Sequence, residues 1–185
     1  MTSIVPPTTP KQGRLDTEAI LTANGIKDHF AILGVRGYYF NTMGEKGKND
    51  RGIYDDALAL VTPTAYVTFN ANCDPGAFRT GIANLKAGVW LYKLGIHGLS
   101  KPKAKRYRAL VQAAPVTVVR DQSGEETGWF GINIHRGGYN TTSSLGCQTV
   151  HPTQWPALIA LVAQEMKRHG RTRIPYVLVE TGLVT

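Results

Sequence analysis

The sequence predicts a strand-rich α+β domain with few helices, one of them long and near the C terminus. Three observations predict it. The 185 residues include 20 glycines and 10 prolines, which cut the chain into short elements and favour strands and turns. Only one segment, Thr153–His169, sustains a long helical period, with Trp155, Leu158, Ile159, Val162 and Met166 at three- and four-residue steps. Hydrophobic residues make up 42% and charged residues 18%, enough apolar matter for one packed core and too much for a disordered chain.

The elements follow in order. Residues 1–14, interrupted by Pro6, Pro7 and Pro10, read as a flexible arm, and 15–185 as a single domain. "LDTEAILTANG" (15–25) is a short helix that Asp16 or Thr17 can cap and Gly25 ends. "FAILGVRGYYF" (30–40) is a strand with a glycine bend, and "NTMGEKGKNDRG" a polar loop. "AYVTFN" (65–70) and "VWLYKLGI" (89–96) are strands, and the Gly-, Asn- and Pro-rich stretch between them is irregular. "PVTVV" (115–119) and "GWFGINIH" (128–135) form a hairpin around "RDQSGEET". Thr153 caps the long helix, Lys167, Arg168 and His169 suit its negative end, and Gly170 stops it. "PYVLVE" (175–180) is the last strand.

Composition also bounds function. The formal net charge of +8 favours an anionic partner: nucleic acid, an acidic membrane surface or an envelope polymer. The densest basic run, "KPKAKRYRAL", holds Lys101, Lys103, Lys105, Arg106 and Arg108. It reads as a solvated helix face, as a nucleic-acid contact with Tyr107 stacking, or as a patch for anionic envelope polymer. Two cysteines, Cys73 and Cys147, are too few for a disulfide framework, though one bridge between them is open. They lack metal spacing, and no metal or cofactor is expected. Asp55, Asp56, Asn70, Asn72 and Asp74 read as turn formers. No segment has the length and apolarity of a signal peptide or a membrane span, so the expectation is a chain made in the cytoplasm that meets any wall target after release.

The chemistry concentrates in "INIHRGGYNTTSSLGCQTVHP", from Ile132 to Pro152. A cysteine nucleophile needs a base and access to substrate, and His135 precedes Cys147 by 12 positions across a loop able to fold back. Gly146 leaves room for substrate and could turn backbone amides toward an oxyanion. Ser144 can bond the loop or the substrate. His97, in another His-Gly step, is the rival base or a groove residue, and His151 lines the site or is a solvated cap. The competing reading makes Cys147 an inert buried thiol in a non-catalytic basic module that binds nucleic acid or wall polymer. Alkylation across pH separates the two, since a catalytic thiolate reacts below the pH of a free thiol.

The run "IHRGG…SSLGCQTV" resembles the signature of the L,D-transpeptidase catalytic-domain family (YkuD-like), over roughly Trp129 to Pro152. Arg136, Leu145 and Thr149 depart from its usual residues. The resemblance implies a β-sandwich or barrel domain, with Cys147 as nucleophile, His135 as base, and Gly146 and Cys147 in the oxyanion turn. Ser144, Arg136, His97, His151 and Thr149 are then expected around the substrate. It implies a thioester acyl-enzyme on peptidoglycan stem peptides, completed by water or by an acceptor amine. A phage endolysin is the favoured setting, an interbacterial toxin the nearest variant, and nucleic acid is not favoured as a partner.

Overall fold

A computed structural model describes residues 3–181, so residues 1 and 2 of the arm and 182–185 of the domain lie outside the described residues. The elements are α1 (Arg14–Ala23), β1 (Ala31–Arg36), β2 (Asp56–Val61), β3 (Tyr66–Asn72), β4 (Ala83–Leu85), β5 (Gly88–His97), β6 (Tyr107–Gln112), β7 (Val116–Arg120), β8 (Gly124–Gly128), β9 (Ile134–Arg136), β10 (Gln148–Val150), α2 (Trp155–Arg168) and β11 (Ile174–Glu180).

Eight strands close into a barrel in the order β1-β11-β5-β6-β9-β10-β3-β2, and β4-β7-β8 make a separate three-stranded sheet. The β1–β11 and β9–β10 pairs are parallel and the other barrel pairs antiparallel. A barrel of this size is filled by its own side chains. Ile32, Leu58, Leu60, Phe69, Tyr92, Leu110, Ile134, Val150, Tyr176 and Leu178 are buried together, and Trp155, Leu158, Val162 and Met166 of α2 join the same core. Gly34 keeps the space that the Tyr176 ring takes, since a Cβ there would overlap the Tyr176 hydroxyl. A second cluster forms where Leu21 of α1 covers Leu33, Val35, Ala57, Ala59, Val177 and Val179. Among the described residues no helix is long and apolar enough to cross a membrane.

Several expectations need correction. The arm is laid on the barrel: Ile4 accepts the Tyr54 amide at 2.7 Å, and Pro10 and Gln12 carbonyls accept the Thr68 and Tyr66 hydroxyls at 2.7 and 2.6 Å. Gly13 and Gln154 hold the N-cap positions of the two helices, without side-chain caps, and Thr153 bonds His151 instead. The hairpin partner of β7 is β8, drawn from the stretch read as its turn, while 134–136 enters the barrel as β9. The basic run is no helix face: a 3-10 turn, Lys103–Lys105, leads into β6. Asp55, Asp56, Asn70, Asn72 and Asp74 are all buried, and Asp56 accepts the amides of Gly37, at 2.5 Å, and Cys73. Both cysteines are free.

Candidate active site

Strand alternation gathers the site. Register pairs Tyr92 with Gln112, Leu110 with Ile134 and Ile134 with Gln148, and the apolar members of this even-numbered set point into the core. On the same strands and their flanks Gly95, His97, Val111, Asn133, His135 and Cys147 line one groove of about 840 Å³. The segment before β9 is fixed by Gln112, whose Oε1 accepts the Phe130 and Ile132 amides at 3.1 and 2.8 Å.

Cys147 is partly buried. Its Sγ accepts the Asn133 amide at 3.4 Å and donates to the Gly131 carbonyl at 3.5 Å. Burial pushes the thiol up from its ordinary value, more than the Asn133 amide and the Lys101 charge pull it down. Burial thus favours the neutral thiol. No hydrogen bond joins it to an imidazole among the described residues, which corrects the expected thiolate held against His135.

His135 is buried and lines the same groove. Its Nδ1 lies 2.7 Å from the Arg136 carbonyl, and the Tyr107 hydroxyl lies 3.1 Å from the same nitrogen and 3.2 Å from that carbonyl. A carbonyl can only accept, so the short contact places the proton on Nδ1 and leaves Nε2 with its lone pair. Burial, then the adjacent His97, push His135 down to about 4, so it is neutral near pH 7. The two rings stack with centroids 4.0 Å apart. The Asn133 side-chain Nδ2 donates to His97 Nδ1 at 3.2 Å, and burial lowers the His97 pKa as well.

The loop residues take structural parts. Ser144 Oγ donates to the Cys147 carbonyl at 2.6 Å and accepts the Gly146 amide at 3.1 Å. That bond removes the Gly146 amide from the expected oxyanion pair; among the described residues the Cys147 amide has no hydrogen bond. Gly146 has φ +123, and a Cβ there would overlap the Ala83 carbonyl oxygen.

Of the outlying expectations, His97 belongs to the groove and Arg136 sits beside it, its guanidinium 4.9 Å from the Tyr107 ring centre. Thr149 is buried opposite His135 in the register and does not line the groove. His151 is packed edge-on against Tyr54 and Tyr139 and bonded to Thr153 at 2.7 Å, outside the groove. Asn133, Tyr107 and Lys101 were not anticipated in these roles. Asn133 could have been found from its period-two relation to His135. Among the described residues no group of three His, Cys, Asp or Glu could hold a metal ion.

Comparison of the chain with family models, with curated proteins and with solved structures finds no match in any of the three.

Proposed function

We propose that the protein is a cysteine peptidase or transpeptidase acting on peptidoglycan stem peptides. The observation that carries the chemistry is the fixed tautomer of His135: with Nδ1 bonded to the Arg136 carbonyl, Nε2 is the nitrogen left to accept a proton in the groove that Cys147 lines. The substrate class rests on the resemblance of "IHRGG…SSLGCQTV" to the L,D-transpeptidase catalytic domain and on the +8 net charge, suited to an anionic wall.

The thiol and imidazole both start neutral, so attack and proton transfer are coupled. As Cys147 Sγ bonds to the substrate carbonyl carbon, its proton passes to His135 Nε2. Negative charge grows on the carbonyl oxygen, and the unengaged Cys147 amide is the backbone donor nearest the reacting sulfur in sequence. Collapse of the intermediate breaks the C–N bond, the departing amine takes the proton back from His135, and a thioester remains on Cys147. Water then yields the acid, or an acceptor amine yields a new peptide bond. As a cell setting, an endolysin acting at host lysis fits this chemistry, with a toxin of the same chemistry as its variant.

The test is digestion of purified sacculi by the wild-type protein and Cys147→Ala, with mass spectrometry of the released fragments. Loss of a terminal residue, cleavage of a cross-link and exchange of an amino acid give distinct masses. Equal products from both proteins would eliminate the thiol mechanism, and no products from either would leave a binding module with an inert cysteine.

A further inference from the structure

His135 has no acidic partner. Neither the thiol groove nor the adjoining concavity of about 360 Å³ is lined by Asp or Glu. The charged and titratable groups around the imidazole are His97 of β5, Lys101 of the turn that follows it, Tyr107 of β6, Arg136 of β9 and Cys147. A base that carries positive charge while the substrate reacts is helped by an acceptor on the ring nitrogen that does not transfer the proton. Two oxygens are within hydrogen-bond distance of that nitrogen, Nδ1: the Arg136 carbonyl at 2.7 Å and the Tyr107 hydroxyl at 3.1 Å. Among the described residues no other group bonds the His135 ring.

The carbonyl belongs to the residue next in sequence, whereas the hydroxyl comes from another strand and can be removed without touching the backbone. Register sets Tyr107 opposite His97. Its ring is held by the His97 ring, 5.3 Å away between centroids, and by the Arg136 guanidinium, 4.9 Å from its centre. Burial pushes the Tyr107 hydroxyl up from its ordinary value, more than the Arg136 charge pulls it down, so the phenol keeps its proton near neutral pH. That proton is donated to the Arg136 carbonyl at 3.2 Å. A hydroxyl that has donated its only hydrogen can meet Nδ1–H only as an acceptor. The Nδ1 proton is therefore shared between the carbonyl and the phenol oxygen, and both bonds strengthen when the ring becomes an imidazolium.

We infer that Tyr107 is a positioning residue for the base: its hydroxyl accepts a hydrogen bond from His135 Nδ1 and stabilises the imidazolium formed when Cys147 gives up its proton. This rests on the reading of Cys147 as nucleophile and His135 as base. Tyr107 thus fills, as a neutral group, the place that a carboxylate takes behind the histidine of many hydrolases.

The test is Tyr107→Phe in the full chain, which removes the oxygen and leaves the ring against Arg136. In cleavage of a stem tetrapeptide, kcat is expected to fall roughly 10- to 100-fold with KM little changed, the loss of one hydrogen bond to a charged group. The second readout is the protonation of His135, followed through its ring Cε1–H by NMR. Loss of an acceptor makes the imidazolium less favourable, so the midpoint moves to lower pH; a ring merely loosened would gain water, and its midpoint would rise. Since the wild-type midpoint is already near 4, the same comparison is made in a His97→Gln background, where it lies higher. A lowered midpoint with the fall in kcat supports the assignment. A lowered midpoint when neither protein cleaves also supports the contact, and removes the enzyme reading instead. An unchanged or raised midpoint, or an unchanged kcat in a protein that cleaves, would overturn the assignment and leave Cys147 and His135 standing. Nitrogen NMR spectra of the wild-type protein at pH 7 add a check that needs no variant: the His135 proton is expected on Nδ1, and a proton on Nε2 would make the hydroxyl a donor and overturn the assignment.

Discussion

The imidazoles of His97 and His135 lie face to face, 4.0 Å between centroids and 22° from parallel, although they stand on β5 and β9 with β6 between them. Two stacked imidazoles cannot both carry charge cheaply, and His97 adds to the burial that drives His135 down to about 4. The pair thus keeps a base unprotonated through the neutral range. The expected acid limb of kcat/KM lies near pH 4, well below the ordinary histidine value. His97→Gln removes the repulsion but not the burial, so the limb moves upward while activity at pH 7 persists. Rate–pH profiles of the two proteins check this; an unmoved limb would show that the stack does not govern the base.

The same shift affects folding. His135 binds its proton less readily in the folded chain, so the unfolded chain takes up the proton first as pH falls below about 6.5. Stability is therefore full above that pH, declines between it and about 4, and levels off below, a loss on the order of 3 kcal/mol. Urea unfolding of wild type and His135→Gln measures it: the variant should lack that part of the decline.

Where the sequence was legible, the physical signal was local. The periodic apolar side of α2 and the apolar runs of β1, β3, β5 and β11 fix those elements without knowledge of their partners. Strand β2 was hidden because Asp55 and Asp56 look like turn residues; the buried Asp56 carboxyl instead receives backbone amides from elsewhere in the chain. Strand β8 was hidden because it is nearly all polar, and cross-strand pairing with β7 holds it with an Arg120–Glu126 ion pair. At the site, His135 and Cys147 could be picked by residue type alone. Lys101 and Tyr107 could not, since only the β5–β6–β9 register carries them to the imidazoles.

The Ser144–Gly146 turn sets the thiol. Ser144→Ala removes a hydroxyl that serves as both donor to Cys147 O and acceptor from Gly146 N, at a cost of about 1–3 kcal/mol. Gly146→Ala is worse, because its φ of +123 and the Ala83 carbonyl both exclude a side chain. The expected order of melting temperature is wild type, Ser144→Ala, Gly146→Ala, and at a temperature where Ser144→Ala is folded its kcat should fall with KM little changed. A Gly146→Ala protein as stable as wild type would contradict the geometry of the loop.

Burial of Cys147 reverses the alkylation behaviour expected of a preformed thiolate. With burial raising the thiol above its ordinary value, iodoacetamide reactivity in the free protein should stay low at pH 7 and climb only in the alkaline range. Lys101→Met, which removes a cation that favours the thiolate, should push the climb to still higher pH. Labelling at Cys147, followed by mass spectrometry so that fully buried Cys73 is scored separately, reads both. Rapid labelling near pH 6 would mean that an ion pair with an imidazole forms after all.

Asp55 offers a test of the buried carboxylates that is independent of the site. Its Oδ2 accepts the Asp50 amide at 2.8 Å, while its Oδ1 is buried without a partner. Burial pushes it up to about 7, and the charges of Asp74 and Asp50 add to the rise. Because the folded value exceeds the unfolded one, the unfolded chain gives up its proton first as pH rises past about 4. This group's contribution to stability is therefore complete in acid, is lost between about 4 and 7, and stays lost above. Asp55→Asn keeps an acceptor for the Asp50 amide and cannot ionise. Its new NH₂ has no ready partner, which subtracts a similar amount at every pH. The diagnostic quantity is thus the change in melting temperature relative to wild type at pH 4 and at pH 8. It should move in favour of the variant as pH rises; an identical difference at both values would mean that Asp55 is ionised in the folded protein throughout.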